Sequence, residues 1–167
     1  MQKTELRMLL VLVSVISVAG TAFFANRSSP IPVLAADPSL PIVMVYKNAT
    51  CGCCGDWVRH MQDNGFRVET HDVGNLLPYK EQAKLGAGMG SCHTAFVGGY
   101  AIEGHVPAWD VKRLLTEKPD ISGLTVPRMP AGSPGMEVPG QPADAYQVIS
   151  YKDGEETGVF SDYPAGK

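Results

Sequence analysis

The sequence lacks a basic patch, an internal repeat and a low-complexity tract. Its 14 Lys and Arg residues are scattered along the chain against 17 Asp and Glu, which leaves a formal net charge of -3. Proteins that bind nucleic acid need clustered cationic side chains to neutralise phosphates, so we predict no nucleic-acid partner. The 167 residues are enough for one modest domain with extensions.

Charged residues are absent from residues 8–25, a run dominated by Leu, Val, Ile and Phe. Lys3 and Arg7 precede this run, as in an export signal. The run is long for the apolar region of a signal peptide and short for a relaxed transmembrane span. Small residues at 33–36 offer a cleavage site, so a cleaved signal and an uncleaved inner-membrane anchor both stay open. In either case we predict an exported protein that meets the membrane only through this segment.

Cysteine is scarce, and its spacing argues against two structural disulfides. Cys51, Cys53 and Cys54 form a C-G-C-C motif, and Cys92 follows much later. An exported protein normally oxidises paired thiols to disulfides. Cys53 and Cys54 cannot easily bridge each other, because neighbouring Cα atoms lie ~3.8 Å apart and disulfides usually span at least about 4.4 Å. The pattern therefore favours metal thiolates, while a redox pair at Cys51 and Cys54 stays open.

Apolar and β-prone runs alternate with helical patterns from residue 41 onwards. The predicted order is a strand at 41–46, a helix at 53–64, a strand at 66–73, a short helix at 76–85, a hairpin around Gly98-Gly99 and a helix at 108–117. A C-x-x-C motif at the first strand-to-helix junction is typical of thioredoxin. We therefore predict an α/β, thioredoxin-like fold with the order βαβ-α-ββ-α.

Proline and glycine are concentrated in residues 119–142, which also contain Met129 and Met136. This composition predicts an irregular loop. Two β-prone runs around Lys152-Asp153-Gly154 then predict a C-terminal hairpin. The expected domains are residues 1–36 as signal peptide or anchor, 37–125 as a thioredoxin-like metal-binding core, and 126–163 as a loop and hairpin packed on that core.

The hairpin register predicts which residues approach the cysteine motif. With Gly98-Gly99 as the turn, Cys92 lies opposite His105, and such cross-strand partners have Cβ atoms about 4.5–5.5 Å apart. If the first hairpin strand is antiparallel to the opening strand, Cys92 and His93 lie beside residues 51–54. Adjacent strand residues point in opposite directions, so Cys92 and His93 can bind one metal site only if they lie before the strand proper.

Thiols, imidazoles and thioethers together match copper better than zinc. Soft thiolates select Cu(I), zinc or iron–sulfur clusters, and a structural zinc ion would be satisfied by the four cysteines alone. His93, His105 and Met136 add more donors than one ion needs, so we predict more than one copper ion, bridged by thiolates and able to exist as Cu(I) or Cu(II). The candidate metal ligands are Cys51, Cys53, Cys54, Cys92, His93, His105 and Met136.

Several assignments stay open at this stage. His93 and His105 are either ligands or hydrogen-bonded strand-end residues, and Met136 is either a ligand or a packing residue. His60 is predicted to be a solvated surface residue. Trp109 is predicted to lie in the core.

Four sequence blocks resemble the CopG family of periplasmic copper-resistance proteins. The blocks are residues 46–55, 91–100, 102–107 and 130–137, and the resemblance spans about residues 41–163. It implies a thioredoxin-like fold and a thiolate-bridged multinuclear copper cluster that interconverts Cu(I) and Cu(II) in copper resistance. By this resemblance the four cysteines are the bridging thiolates, and His93, His105 and the Met136 loop make further contacts.

The expected function is therefore that of a periplasmic copper-binding protein, and whether it turns over as a copper oxidoreductase stays open. The alternatives are a copper chaperone or store without turnover, a thiol–disulfide oxidoreductase that uses C-x-x-C, and a structural zinc site. The expected partners are copper ions and other periplasmic copper-handling or electron-transfer proteins.

Overall fold

The structure is a computed structural model that describes residues 36–166. The predicted signal or anchor segment lies outside the described residues, apart from its last residue, Ala36. Within the described range, no helix is long and apolar enough to cross a membrane.

The described chain contains three helices and seven strands, and its last three elements are strands. The elements are β1 (Val43–Lys47), α1 (Gly52–Asp63), β2 (Val68–Asp72), α2 (Leu77–Gln82), β3 (His93–Val97), β4 (Tyr100–Glu103), α3 (Ala108–Glu117), β5 (Gly123–Thr125), β6 (Tyr146–Lys152) and β7 (Glu155–Tyr163). The predicted mixed α/β order is confirmed up to α3, and so is the C-terminal hairpin, which is β6 and β7.

The seven strands form one sheet in the order β2-β1-β3-β4-β5-β6-β7. β1 and β2 are parallel, and β1 and β3 are antiparallel, which is the condition under which the sequence places Cys92 and His93 beside residues 51–54. The Gly98-Gly99 turn joins β3 to β4 with Thr94 opposite Glu103, which confirms the predicted register. Because Lys47 lies opposite His93, the end of β1 and the start of β3 meet at the same edge of the sheet.

The prediction of an irregular loop throughout residues 119–142 is wrong in one part, because β5 lies within it. This three-residue strand pairs with β4 on one side and β6 on the other. Gly123 is required there, since a Cβ atom would overlap the carbonyl of Ala101. A strand this short has no periodicity of its own, so only its pairing partners determine it. It joins the C-terminal hairpin to the sheet.

The main hydrophobic core lies between the sheet and helices α1 and α3. Its fully buried members include Trp57 and Met61 from α1 and Val111 and Leu114 from α3. Trp109 does not join them, and its predicted place in the core is wrong, because 53% of it is exposed. Trp109 lies about 200° around the helix from Val111, so α3 cannot bury both side chains against the same sheet.

Candidate metal centre

The cysteine motif lies at the N-terminus of α1, where the chain turns out of β1. Cys51 occupies the N-cap position, and its amide nitrogen donates to the carbonyl of Asn48 at 3.0 Å. Cys54 faces the core on the same side of α1 as Trp57 and is fully buried, whereas Cys51 and Cys53 are half-buried. The helix start therefore presents three sulfurs around one turn, with one of them directed inwards.

Cys92 lies beside this motif, at the end of the sheet where β1 ends and β3 begins. It lies just before β3, and its carbonyl is 3.8 Å from Sγ of Cys54. Four sulfur atoms therefore lie within 4.8 Å of one another, those of Cys51, Cys53, Cys54 and Cys92. The predicted gathering of the four cysteines at one end of the domain is confirmed, while their role as metal ligands stays a prediction.

Two histidines extend the cysteine group on the inner side. Nε2 of His105 lies 3.1 Å from Sγ of Cys92, which confirms the pairing predicted from the hairpin register. Nδ1 of His93 lies 3.4 Å from the same sulfur, because Cys92 precedes the strand and His93 is its first residue. Cys92, His93 and His105 thus form a second group of donors within 4.8 Å of one another, and both imidazoles are fully buried.

The hydrogen bond at the far side of His105 determines its tautomer. Nδ1 lies 2.8 Å from the carbonyl oxygen of Pro134, and a carbonyl can only accept, so Nδ1 carries the proton. Nε2 therefore directs its lone pair towards Cys92. Burial lowers the pKa of His105, which favours this neutral form. A backbone carbonyl that orients an imidazole in this way is the usual support of a metal-binding histidine.

His93 holds the least satisfied polar atom of the site. Within residues 36–166, its Nε2 is buried and has no hydrogen-bond partner, an arrangement that costs about 1–3 kcal/mol. Its ring packs against Trp57 with centroids 4.5 Å apart. Burial, with the nearby charge of Lys80, holds the pKa of His93 well below its usual value. A neutral, fully buried imidazole is suited to ligate a metal and poorly suited to ionise.

Two of the four sulfurs are bonded to each other in this structure. Cys51 and Cys54 form a disulfide, and Cys53 and Cys92 are free thiols. Burial, followed by the charge of Cys53, raises the pKa of Cys92 to about 12. A bound cation reverses this effect, since a coordinating thiol is deprotonated outright. Free thiols beside a neutral, unpartnered imidazole are a donor set that fits a soft metal such as copper.

The loop that carries Met136 packs onto the first turn of α1. Gly135 has a φ of +83°, and a Cβ atom there would lie 2.7 Å from the amide nitrogen of Trp57 and 2.9 Å from the carbonyl oxygen of Cys53. Met136 is half-buried, and its amide donates to the carbonyl of Ser133 at 2.7 Å. The loop thus covers the cysteine motif with backbone, and a ligand role for Met136 stays a prediction.

We expect Gly135→Ala to destabilise the protein and to weaken copper binding. An alanine at this φ costs about 1–2 kcal/mol, and its Cβ also displaces the loop from α1. Gly140→Ala is the matched control, because Gly140 has a φ of +80° with no atom within 4 Å of the added Cβ. Urea unfolding and Cu(I) competition titrations measure both effects. Equal losses in the two variants would contradict the close packing of the loop.

Three polar residues near the site are missed or misread by sequence reasoning. His60 is not a plain solvated residue, because its Nε2 accepts a hydrogen bond from the amide of Ala108 at 3.0 Å and so caps α3. The other two, Glu103 and Lys80, form an ion pair behind Cys92, and Glu103 is fully buried. A glutamate ending the apolar strand Tyr100–Glu103 is the signal that could have identified this pair.

A family model described as "Protein of unknown function, DUF411" matches residues 89–136. No curated protein matches the sequence. A solved structure described as "Copper resistance protein copG- Form 1" is 41% identical, with a TM-score of 0.70, and the match covers 75% of this chain and 98% of that chain. "Copper resistance protein copG- Form 2" is also 41% identical, with a TM-score of 0.69 and coverage of 75% and 99%.

Proposed function

Because this chain belongs to the family of copper resistance protein CopG, we propose that it binds copper ions in the periplasm and interconverts Cu(I) and Cu(II) in copper resistance. The observation that carries this proposal is the approach of four sulfurs to within 4.8 Å of one another, with Nε2 of His105 3.1 Å from Sγ of Cys92. Copper is the cargo of this site, and the soft donors select it.

Two overlapping donor groups support the binding of more than one ion. Cys92 belongs to both groups, so its sulfur is placed to bridge between ions. The first group is Cys51, Cys53, Cys54 and Cys92, and the second is Cys92, His93 and His105. A mixed set of thiolate and imidazole donors suits both Cu(I) and Cu(II). We propose Met136 as an additional contact, since its neighbour Gly135 packs directly on α1.

The fold proposed for this function is thioredoxin-like. The βαβ unit with the cysteine motif at the start of α1, followed by the β3–β4 hairpin and α3, supports this assignment. The reversible change of oxidation state requires an electron partner, and we propose a periplasmic electron-transfer protein in that role. The apolar run at residues 8–25 supports export.

The proposal predicts that disulfide reduction controls copper capacity. With Cys51 and Cys54 bonded, two of the four sulfurs are unable to act as thiolates. We expect the fully reduced protein to bind more than one Cu(I) per chain under anaerobic conditions, and the disulfide form to bind fewer. Elemental analysis after gel filtration measures the ratio.

The titration and a redox test of the loaded protein distinguish the copper proposal from its alternatives. A single ion per reduced chain would contradict the multinuclear site, and a preference for Zn(II) over Cu(I) in competition would contradict the copper assignment. Loaded protein should also exchange electrons reversibly with a soluble mediator and retain its metal. Loss of copper on each oxidation would instead favour a chaperone or store.

The Cys51–Cys54 disulfide also favours a second candidate, a thiol–disulfide oxidoreductase. Cys51 lies at the N-terminus of α1, where the helix dipole stabilises a thiolate. Catalysed reduction of insulin by the metal-free protein, abolished by Cys51→Ser, would support this candidate against the copper proposal. The copper proposal predicts no such catalysis.

A further inference from the structure

The segment that carries Cys92 is held at the backbone of the preceding residue, Ser91, by the ion pair of Glu103 and Lys80. Glu103 is fully buried and accepts hydrogen bonds from the amide of Ser91 at 2.6 Å and from Oγ1 of Thr94 at 2.7 Å. Nζ of Lys80 pairs with Glu103 and donates to the carbonyl of Ser91 at 3.0 Å. Both polar backbone groups of Ser91 are therefore bound by the two partners of one salt bridge.

The sheet by itself does not hold Cys92 in place. Strand pairing between β3 and β4 ends at Thr94 and Glu103, two positions before Cys92 and His105. The last backbone hydrogen bond runs from the amide of Gly104 to the carbonyl of His93 at 3.1 Å. Gly104 has a φ of +70°, and a Cβ atom there would overlap the side chain of Ser91. Cys92 and His105 thus face each other beyond the end of the strand ladder. The ion pair restrains the chain there, together with the hydrogen bonds of the Ser91 hydroxyl and the Gly90 carbonyl to the backbone of Arg128.

The ion pair has a high free-energy cost, because Glu103 is fully removed from water. A buried carboxylate is tolerated only when several donors satisfy it, and Glu103 has three donors, namely Lys80, Ser91 and Thr94. A hydrophobic residue at the end of β4 would fill this space at lower cost. The arrangement is better explained by the precise placement of Ser91 than by stability.

We propose that Glu103 and Lys80 are positioning residues for copper binding, an inference that rests on the proposed function above. They hold the Ser91 backbone so that Sγ of Cys92 stays opposite Nε2 of His105. Neither side chain is a metal ligand in this proposal. Their action corresponds to that of outer residues that orient metal ligands, whose replacement typically lowers metal affinity about 10- to 100-fold.

Asp110 provides a matched control for the loss of a buried carboxylate. It is 3% exposed and accepts hydrogen bonds from the hydroxyls of Tyr163, at 2.6 Å, and Ser161. Asp110 lies on α3, and both of these partners lie on β7 rather than beside Ser91. Asp110→Asn therefore perturbs a buried charge as Glu103→Gln does, without touching the Cys92 segment.

The experiment compares Cu(I) affinity, measured by chelator competition, with the thermal stability of the metal-free protein. We expect Glu103→Ala to lower the affinity about 10- to 100-fold. Glu103→Gln should recover most of this loss, because the amide oxygen still accepts from Ser91. Asp110→Asn should leave the affinity unchanged, whatever its effect on stability. An unchanged Cu(I) affinity in Glu103→Ala would overturn the inference. So would losses of affinity that are proportional to the losses of thermal stability in all three variants, Asp110→Asn included.

A second variant keeps the test decisive if Glu103→Ala fails to fold. Lys80 is partly exposed, so Lys80→Met removes the donor to Ser91 and leaves most of the packing intact. We expect weaker Cu(I) binding in this variant, and full wild-type affinity would overturn the inference. If the wild-type protein itself binds no copper, the proposed function fails. If the wild type binds copper and the variants bind equally well, only the positioning role fails.

Discussion

Replacing Cys92 by serine is expected to reduce copper loading more than any other single cysteine substitution, to no more than one ion per chain. Cys92 belongs to both donor groups, and its sulfur lies 3.1 Å from His105 and 3.4 Å from His93. A hydroxyl is a hard, weakly coordinating donor in place of a soft thiolate. The variant therefore breaks the connection between the two groups as well as removing one ligand. Elemental analysis of the reduced, Cu(I)-loaded protein measures the ratio.

Cys53→Ser is the matched control for this prediction. Cys53 is the other free thiol, it is likewise half-buried, and it belongs to the four-cysteine group alone. We expect this variant to lose less copper than Cys92→Ser. The metal-free Cys92→Ser protein should keep its fold, because serine has nearly the size of cysteine. Equal copper ratios in both variants and the wild type would contradict the bridging role of Cys92.

Trp57→Ala is expected to produce the largest loss of stability among the residues around the site, about 3–5 kcal/mol in the free energy of unfolding. Trp57 is fully buried, and its ring packs against His93 with centroids 4.5 Å apart. Its indole nitrogen also donates to the carbonyl of Val106 at 2.9 Å, which ties α1 to the segment after His105. Truncation thus leaves a cavity beneath the histidines and an unpaired carbonyl.

The second tryptophan of the chain supplies the control. Trp109 is 53% exposed and donates to the hydroxyl of Tyr163, so Trp109→Ala should cost about 1 kcal/mol or less. Urea unfolding of the metal-free variants measures both values. Trp57→Ala should also weaken copper binding by loosening His93. Similar free-energy losses in the two variants would show that Trp57 does not support the site as described.

The local part of the site could be predicted because it depends on short-range geometry. A two-residue Gly98-Gly99 turn sets the register of its own hairpin, so counting outward from it places Cys92 opposite His105. Helix α1 was likewise predictable, since Cys54, Trp57 and Met61 repeat at the spacing of one helical face. These features need no knowledge of the rest of the chain.

Other features could not be predicted because they depend on partners distant in sequence. β5 exists through its pairing with β4 and β6. His60 caps α3 only because α1 packs beside it. The burial of Glu103 depends on α2, which brings Lys80 to the end of β4. A polar residue has no periodic signal that distinguishes a solvated position from a buried, paired one.

The sequence alone determined the inventory of donors and the register that pairs Cys92 with His105. It also indicated the copper class, through the residue types and the resemblance of four sequence blocks. Only the tertiary structure decided which donors are available and how they are supported. It bonds Cys51 to Cys54, and it orients His105 through the hydrogen bond from its Nδ1 to the carbonyl of Pro134. The physical reason is that donor identity belongs to each residue, whereas burial, pairing and hydrogen-bond direction arise from packing between distant segments.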